Sequence, residues 1–230
     1  MTRNVVILAP MPLELHAIVT AFGLEETRDG WKGKVGDSDV TAVHIGMGPA
    51  VTRVAATRLL DAGGVDHMMI AGICGGLDPD LPVGTLLNPE VLVDHASGAT
   101  YRHRPPGDVP TSGRLVTTET VTFDHDLSRR LFAEGCLGVD MESSAVAEVC
   151  EPRGCPWSVY RCIGDRYVDG LLDERIVAFT NPDGSGQIEE IMRLIAAEPE
   201  LAKKLEQLAH DSTLAARLAA EAAVRGCLAL

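Results

Sequence analysis

The chain has 230 residues, enough to bury one sizeable core and too few for two comfortable ones. Aromatics are only 4%, but 46% of the residues are apolar, and with 23 glycines and 13 prolines the composition excludes a disordered chain. Lys plus Arg number 20 against 33 Asp plus Glu, and the net charge of −13 argues against nucleic acid and anionic membrane as partners, because both repel such a surface.

No apolar stretch reaches the length of a membrane span and no basic-then-apolar leader opens the chain, so a cytoplasmic location is expected. Six cysteines, Cys74, Cys136, Cys150, Cys155, Cys162 and Cys227, lack paired metal-ligand spacing and sit mostly in apolar runs. They read as reduced, structural thiols, and no metal or other cofactor is expected.

In chain order, "NVVILA" (4–9) is a β-rich run stopped by Pro10, and "PLELHAIVTAF" after it has helical spacing. "VTAVHIG" (40–46) predicts a second strand turning through Gly46 and Gly48 into an amphipathic helix that Gly63 and Gly64 close. "DHMMIAGICGG" predicts a third, buried strand and a glycine turn. "VGTLLNPEVLVDHA" predicts strand material split at Pro89. Residues 99–113, polar and proline-rich, predict a loop, and "RLVTTETVTF" after them predicts a strand. "CLGV" leading into "DMESSAVAEVC" predicts strand then helix, and "CPWSVYRCIGD" a buried strand stopping at Asp165. From about Gln187 the composition predicts two helices, broken near "AAEPE" and "AHDST". The domain reading is therefore a main unit over 1–186 and a helical extension over 187–230 packed on it.

Strands alternating with helices predict a single-domain α/β fold, a mostly parallel mixed sheet flanked by helices. Ligands in such sheets gather at the carboxyl ends of the strands. Glu14, Gly46–Gly48, Gly72–Gly76, Met141 with Glu142, and Asp165 all follow strand ends, so five ends are expected to converge on one crevice. Each signal has a plainer meaning. Asp140 suits a helix N-cap and Glu142 the helix dipole. The "GMG" and "GICGG" turns complete no dinucleotide fingerprint and precede no phosphate-loop lysine. His44 and His67 fit packing or surface roles, whereas His95 and His103, flanking the loop, are within reach of a ligand. Asp165 is harder to dismiss, because a carboxylate closing so apolar a strand incurs desolvation without a task or partner.

The order of the segments is more telling than any one of them. "APMPLELHAI", "GMGPAVTRVAATRLL", "AGICGGLDPDLPVGTLL", "VDMESSAVA" and "VYRCIGD" together resemble the purine nucleoside phosphorylase and nucleosidase family, which includes methylthioadenosine/S-adenosylhomocysteine nucleosidase. The resemblance spans about residues 4–170 and is most specific in the last two segments. It implies catalytic roles for Glu14, matching the glutamate of the family's "AMEEE" segment that activates water, and for Asp165, matching the aspartate of "RAISD" that protonates the purine N7. Met141 and Glu142 match the "EMEA" pair, where methionine lines the sugar and glutamate binds ribose hydroxyls. Gly48, Ile73, Gly75, Val139 and Phe123, the last in the stretch that lines the purine in the family, complete the expected substrate-binding set. Asp140 is then a cap or a support for its neighbours.

Two departures from the family pattern bear on the reaction. Phosphorylases of the family offer a hydroxyl, and an arginine a few residues earlier, where this chain has Ile73 and Ile70. An apolar turn is a poor host for a dianion, so hydrolysis is expected over phosphorolysis. The wording around "VDMESSAVA" is as near to the hopanoid-associated nucleoside enzymes as to any other branch. An aspartate at 165 leans toward an adenine nucleoside with a modified 5′ position as the small-molecule partner. The family also implies a homo-oligomer, with a dimer favoured. A phosphate-dependent phosphorylase and a non-catalytic nucleoside sensor remain the alternatives.

Overall fold

The computed structural model describes residues 2–28, 30–107 and 109–230. Its centre is one mixed sheet, in which β1 (Arg3–Ala9) lies between β4 (Ser38–His44) and β5 (His67–Gly76), parallel to both. On the far side of β4, β3 (Gly30–Val35) and β2 (Glu25–Thr27) add an antiparallel hairpin edge that the sequence pattern did not suggest. β2 is exposed throughout and carries no pattern, whereas β3 alternates half-buried Trp31, Gly33 and Val35 with exposed Lys32 and Lys34, a two-residue period whose glycines and lysines keep it faint.

Beyond β5 the sheet continues through β10 (Cys136–Asp140), β9 (Arg114–Thr117), β7 (Val91–Asp94) and β8 (Thr100–Arg102). β8 lies inside the 99–113 stretch expected to be loop, of which residue 108 lies outside the described residues. It pairs antiparallel with β7, its two exposed ends flanking one half-buried tyrosine. The strand expected over 114–123 stops at Thr117. The ten-residue β11 (Trp157–Arg166) runs parallel to β5 along its other edge and also takes up the short β6 (Leu86–Leu87). The "GICGG" glycines thus lie within β5 rather than in a turn, because β11 pairs with them through Gly76.

Helices cover both faces. α1 (Pro12–Phe22) starts with proline at its first position and ends at Gly23 in the left-handed conformation. It packs with the long α7 (Pro199–Leu228) over one face of the sheet, where Val5, Ile7, Met69, Ala71 and Tyr160 meet the alanines of α7. On the opposite face α2 (Pro49–Asp61) packs against α4 (Ser143–Cys150), over Leu8, Met68, Ile70 and Val159. α3 (His125–Ala133) backs β10, and α5 (Glu174–Ala178) and α6 (Ile188–Ala197) follow β11 in the chain, α6 packing on α7. The break expected near "AHDST" does not occur: α7 runs unbroken through it. Asp211 there accepts from Gln207 one turn earlier instead of capping a new helix, and the flanking alanines pack on the sheet.

One topological detail prepares the site. Along a single edge of β5, β1 pairs as far as Ile70 and β10 joins only at Gly75. Between them that edge has no strand partner among the described residues. Opposite, β11 carries an extra residue between Ile163 and Asp165, a bulge that bends the strand and re-aims the side chain after it.

Candidate active site

The interval in β5 opens onto a cavity of about 340 Å³, walled mostly by apolar side chains. Glu14, Ile73, Gly75, Phe123, Val139, Met141, Glu142 and Asp165 all border it. Gly48 does not. Its φ of +100°, open to glycine, turns its amide toward Glu142 Oε1 at 2.8 Å, so it acts through that carboxylate rather than as a wall. The two histidines flanking the 99–113 stretch are not in the wall either. His103 is buried against Trp157 with its ring nitrogens bonded to Pro89 O and Val159 N, while His95 is exposed.

Glu14, in the first turn of α1, is buried and fully bonded. Its Oε2 accepts from the Met11 amide at 2.9 Å, reaching back over its own helix start. Its Oε1 accepts from the Ile73 amide at 2.8 Å, a donor left free by the unpaired edge of β5. Gly72 is what admits it, since a Cβ there would overlap the Glu14 carboxylate.

The residue that organises this end is Arg161, in the middle of β11 and only 1% exposed. Its Nε faces Asp140 at 2.9 Å, one terminal nitrogen donates to Glu142 at 2.9 Å, and the other lies 3.4 Å from Glu14 and 3.2 Å from Ile73 O. The three acids hold the guanidinium firmly in its charged form against the burial that opposes it. Burial pushes both glutamates above the usual carboxylate range, Glu142 to about 7, while Arg161 pulls each back. Sequence reasoning did not single out Arg161, although a signal existed: one arginine inside the apolar run "WSVYRCIG" is a buried charge in want of counter-charges.

Asp140 is a support rather than a free acid. Its Oδ1 accepts from Thr117 Oγ1 at 2.7 Å and its Oδ2 from the Ser143 amide at 3.1 Å, besides the Ser143 hydroxyl and Arg161. The N-cap position of α4 itself belongs to Glu142.

Asp165 stands in a different setting. Among the described residues no protein donor is within hydrogen-bonding distance of its carboxylate, and its Oδ2 would lie 3.8 Å from a Cβ at Gly75. Burial first, then the negative charge of Asp169, push it up to about 7. Arg166 next to it is occupied, bonded to Asp169 at 2.9 and 2.7 Å and to Pro79 O at 3.1 Å.

The remaining wall comes from the segment after β11, which the resemblance did not explain. Leu171, Leu172, Ile176, Val177 and Thr180 line the cavity, joined by Leu208 and Ser212 from α7. Bonds to two main-chain carbonyls pin the segment's far end: the Met47 amide donates to Pro182 O at 2.9 Å and His44 Nε2 to Asp183 O at 2.8 Å.

Comparison with known proteins agrees with this architecture. A Tolumonas auensis 5′-methylthioadenosine/S-adenosylhomocysteine nucleosidase is 24% identical over 165 residues, 59% of this chain and 72% of that protein. A Helicobacter pylori aminodeoxyfutalosine nucleosidase is 26% identical over 199 residues, 72% of this chain and 86% of that protein. Among solved structures, a mutant of the Helicobacter pylori 5′-methylthioadenosine/S-adenosylhomocysteine nucleosidase with 5′-methylthioadenosine in its active site shares the fold, with a TM-score of 0.74 at 19% identity over 100% of both chains. The model of the phosphorylase superfamily matches residues 4–136, from β1 to the start of β10. With more than half of its length matched and the sheet built as described, the chain belongs to the phosphorylase superfamily.

Proposed function

We propose that the protein is a purine nucleosidase, an N-glycosyl hydrolase that splits the N-ribosidic bond of a 5′-modified adenine nucleoside into free base and ribose derivative. The observation that carries this reading is the convergence of Glu14, Glu142 and Asp165, distant in sequence, on one cavity, with Asp165 in surroundings that favour the protonated form. The nucleosidase names of the relatives point the same way.

In this mechanism Asp165 donates its proton to N7 of the base, so that the electrons of the breaking C1′–N9 bond leave on a neutral adenine. Positive charge then develops at C1′ and the ring oxygen, near the carboxylate of Glu142, which also accepts hydrogen bonds from the ribose hydroxyls. Met141 packs on the sugar without competing for those bonds. Glu14, held as an acceptor by two amides, takes the proton of the water whose oxygen bonds to C1′. One neutral and one charged carboxylate divide the acid and base work. Gly75, Val139, Phe123 and Ile73 supply apolar packing.

Water, rather than phosphate, is the acceptor in this reading. Among the described residues the two arginines of the wall are both engaged, Arg161 by three carboxylates and Arg166 by Asp169, which leaves neither to hold a dianion. The protein is proposed to act in the cytoplasm as a homodimer, which light scattering after gel filtration tests. Activity is tested by incubating the protein with a panel of 5′-modified adenosines and inosines, with and without phosphate, and detecting free base by chromatography. Base release without phosphate is expected; strict phosphate dependence overturns hydrolysis.

A further inference from the structure

Asp140 borders the cavity, yet both of its oxygens are engaged inside the protein. The guanidinium of Arg161 is planar and rigid, with donors along three edges. Asp140 takes the Nε edge, Glu142 one terminal nitrogen, and Glu14 with Ile73 O the other. Fixing the Nε edge therefore fixes where the other two point. Thr117 and Ser143 in turn fix Asp140, from β9 and from the first turn of α4.

We propose that Asp140 is a positioning residue for the hydrolysis: it locks the plane of Arg161 and takes up part of its charge, so that the guanidinium orients Glu14 and Glu142 without suppressing their basicity. The inference rests on the nucleosidase reading above. The groups that face Glu14 are Arg161 from β11, Asp140 from β10, Glu142 from the junction with α4, and the amides of Met11 and Ile73. The thiol of Cys74, which also lies near Arg161, is pushed up by burial and stays neutral. Arg161 thus faces three acids with a single charge. Asp140 opposes its pull on both glutamates.

The test is the pH profile of kcat/KM on an adenine nucleoside for the wild-type protein, Asp140→Asn and Asp140→Glu, each checked for folding by thermal denaturation. Asp140→Asn keeps the shape and removes the charge. Glu14 and Glu142 then ionise more readily, so the acid limb moves to lower pH, by about one unit. The plateau falls by less than the ~10²-fold lost with a general base. Asp140→Glu keeps the charge and the ion pair with Arg161 but tilts the guanidinium plane, so the limb stays in place while kcat drops. An unmoved limb in a folded Asp140→Asn protein overturns the proposal. If that variant does not fold, Asp140→Glu decides, and a moved limb there overturns it.

A second readout does not need turnover: the pH dependence of affinity for a C-nucleoside analogue of adenosine, whose base is joined to the sugar by a carbon–carbon bond. Its acid midpoint is expected to shift with the charge in Asp140→Asn and hold in Asp140→Glu. An unmoved midpoint in Asp140→Asn also overturns the proposal. A wild-type protein that binds the analogue but releases no base from any nucleoside defeats the reaction assignment, and the shift in midpoint still reports on Asp140 separately.

Discussion

The two ends of the cavity handle buried carboxylates in opposite ways. Around Arg161, three acids share one cation, and every oxygen of Glu14 and Asp140 has a donor. At the other end Asp165 has neither cation nor donor among the described residues, only burial and a like charge at Asp169. Burial raises the carboxylates at both ends; in the first arrangement Arg161 pulls them back toward charge, and in the second nothing among the described residues does. With Asp165 as the proton donor and Glu14 as the acceptor, as proposed above, a single cavity provides for both.

The sharpest way to break this contrast is Asp165→Asn, which removes the proton donor while keeping the shape. Turnover of an adenine nucleoside is expected to fall by about 10²- to 10⁴-fold with binding largely retained, as steady-state kinetics and calorimetry can check. The same variant bears on stability. Because the folded value of Asp165, about 7, lies above its ordinary 3.8, its favourable contribution is complete below 3.8 and is lost as pH rises through about 7. Asp165→Asn is therefore expected to melt higher than wild type above pH 7, with the gap closing in acid. An unchanged melting temperature in alkaline buffer would mean that Asp165 is better solvated than its surroundings imply.

Glu14→Gln probes the charged end and is expected to lower kcat by about 10²-fold or more, since the amide keeps the size but cannot take a proton and gives up one of the two main-chain bonds that Glu14 accepts. Glu142→Gln should cost less, roughly ten- to a hundredfold in kcat/KM, shared between KM and kcat, as expected for a charged partner of hydroxyls. The smallest effect belongs to Asp169→Asn. Removing a negative charge lets Asp165 ionise sooner, so the basic limb of the pH profile moves down by well under one unit while the acid limb stays, because Asp169 is half-exposed and already paired with Arg166. Movement of both limbs would erase the distinction between the two ends.

Much of this was legible in the residues. The alternation of apolar runs with helical periods forecast the central strands, and the strand-end rule gathered Glu14, Glu142 and Asp165 in advance of coordinates. What escaped was what depends on partners far along the chain. Arg161 lay in plain view in "VYRCIGD", but its role exists only once α1, β10 and the start of α4 bring three acids to it. Gly48 looked like a wall residue because it follows a strand, yet its contribution is one amide aimed at Glu142. Asp211 and Ser212 imitate a helix start, and only their place in α7 against the sheet overrules them. In the edge hairpin, β2 is exposed throughout, and the alternation in β3 rests on only two apolar side chains, Trp31 and Val35.

The unpaired stretch of β5 has a lasting consequence for which changes this protein can tolerate. At position 73 the tie to Glu14 is made by the main chain, so any residue but proline preserves it, and the side chain can be altered within the packing it shares with Cys162 and Ala215. One position earlier there is no such latitude: each replacement of Gly72 evicts Glu14 from its seat. Engineering the pocket can thus begin at one residue and must spare its neighbour.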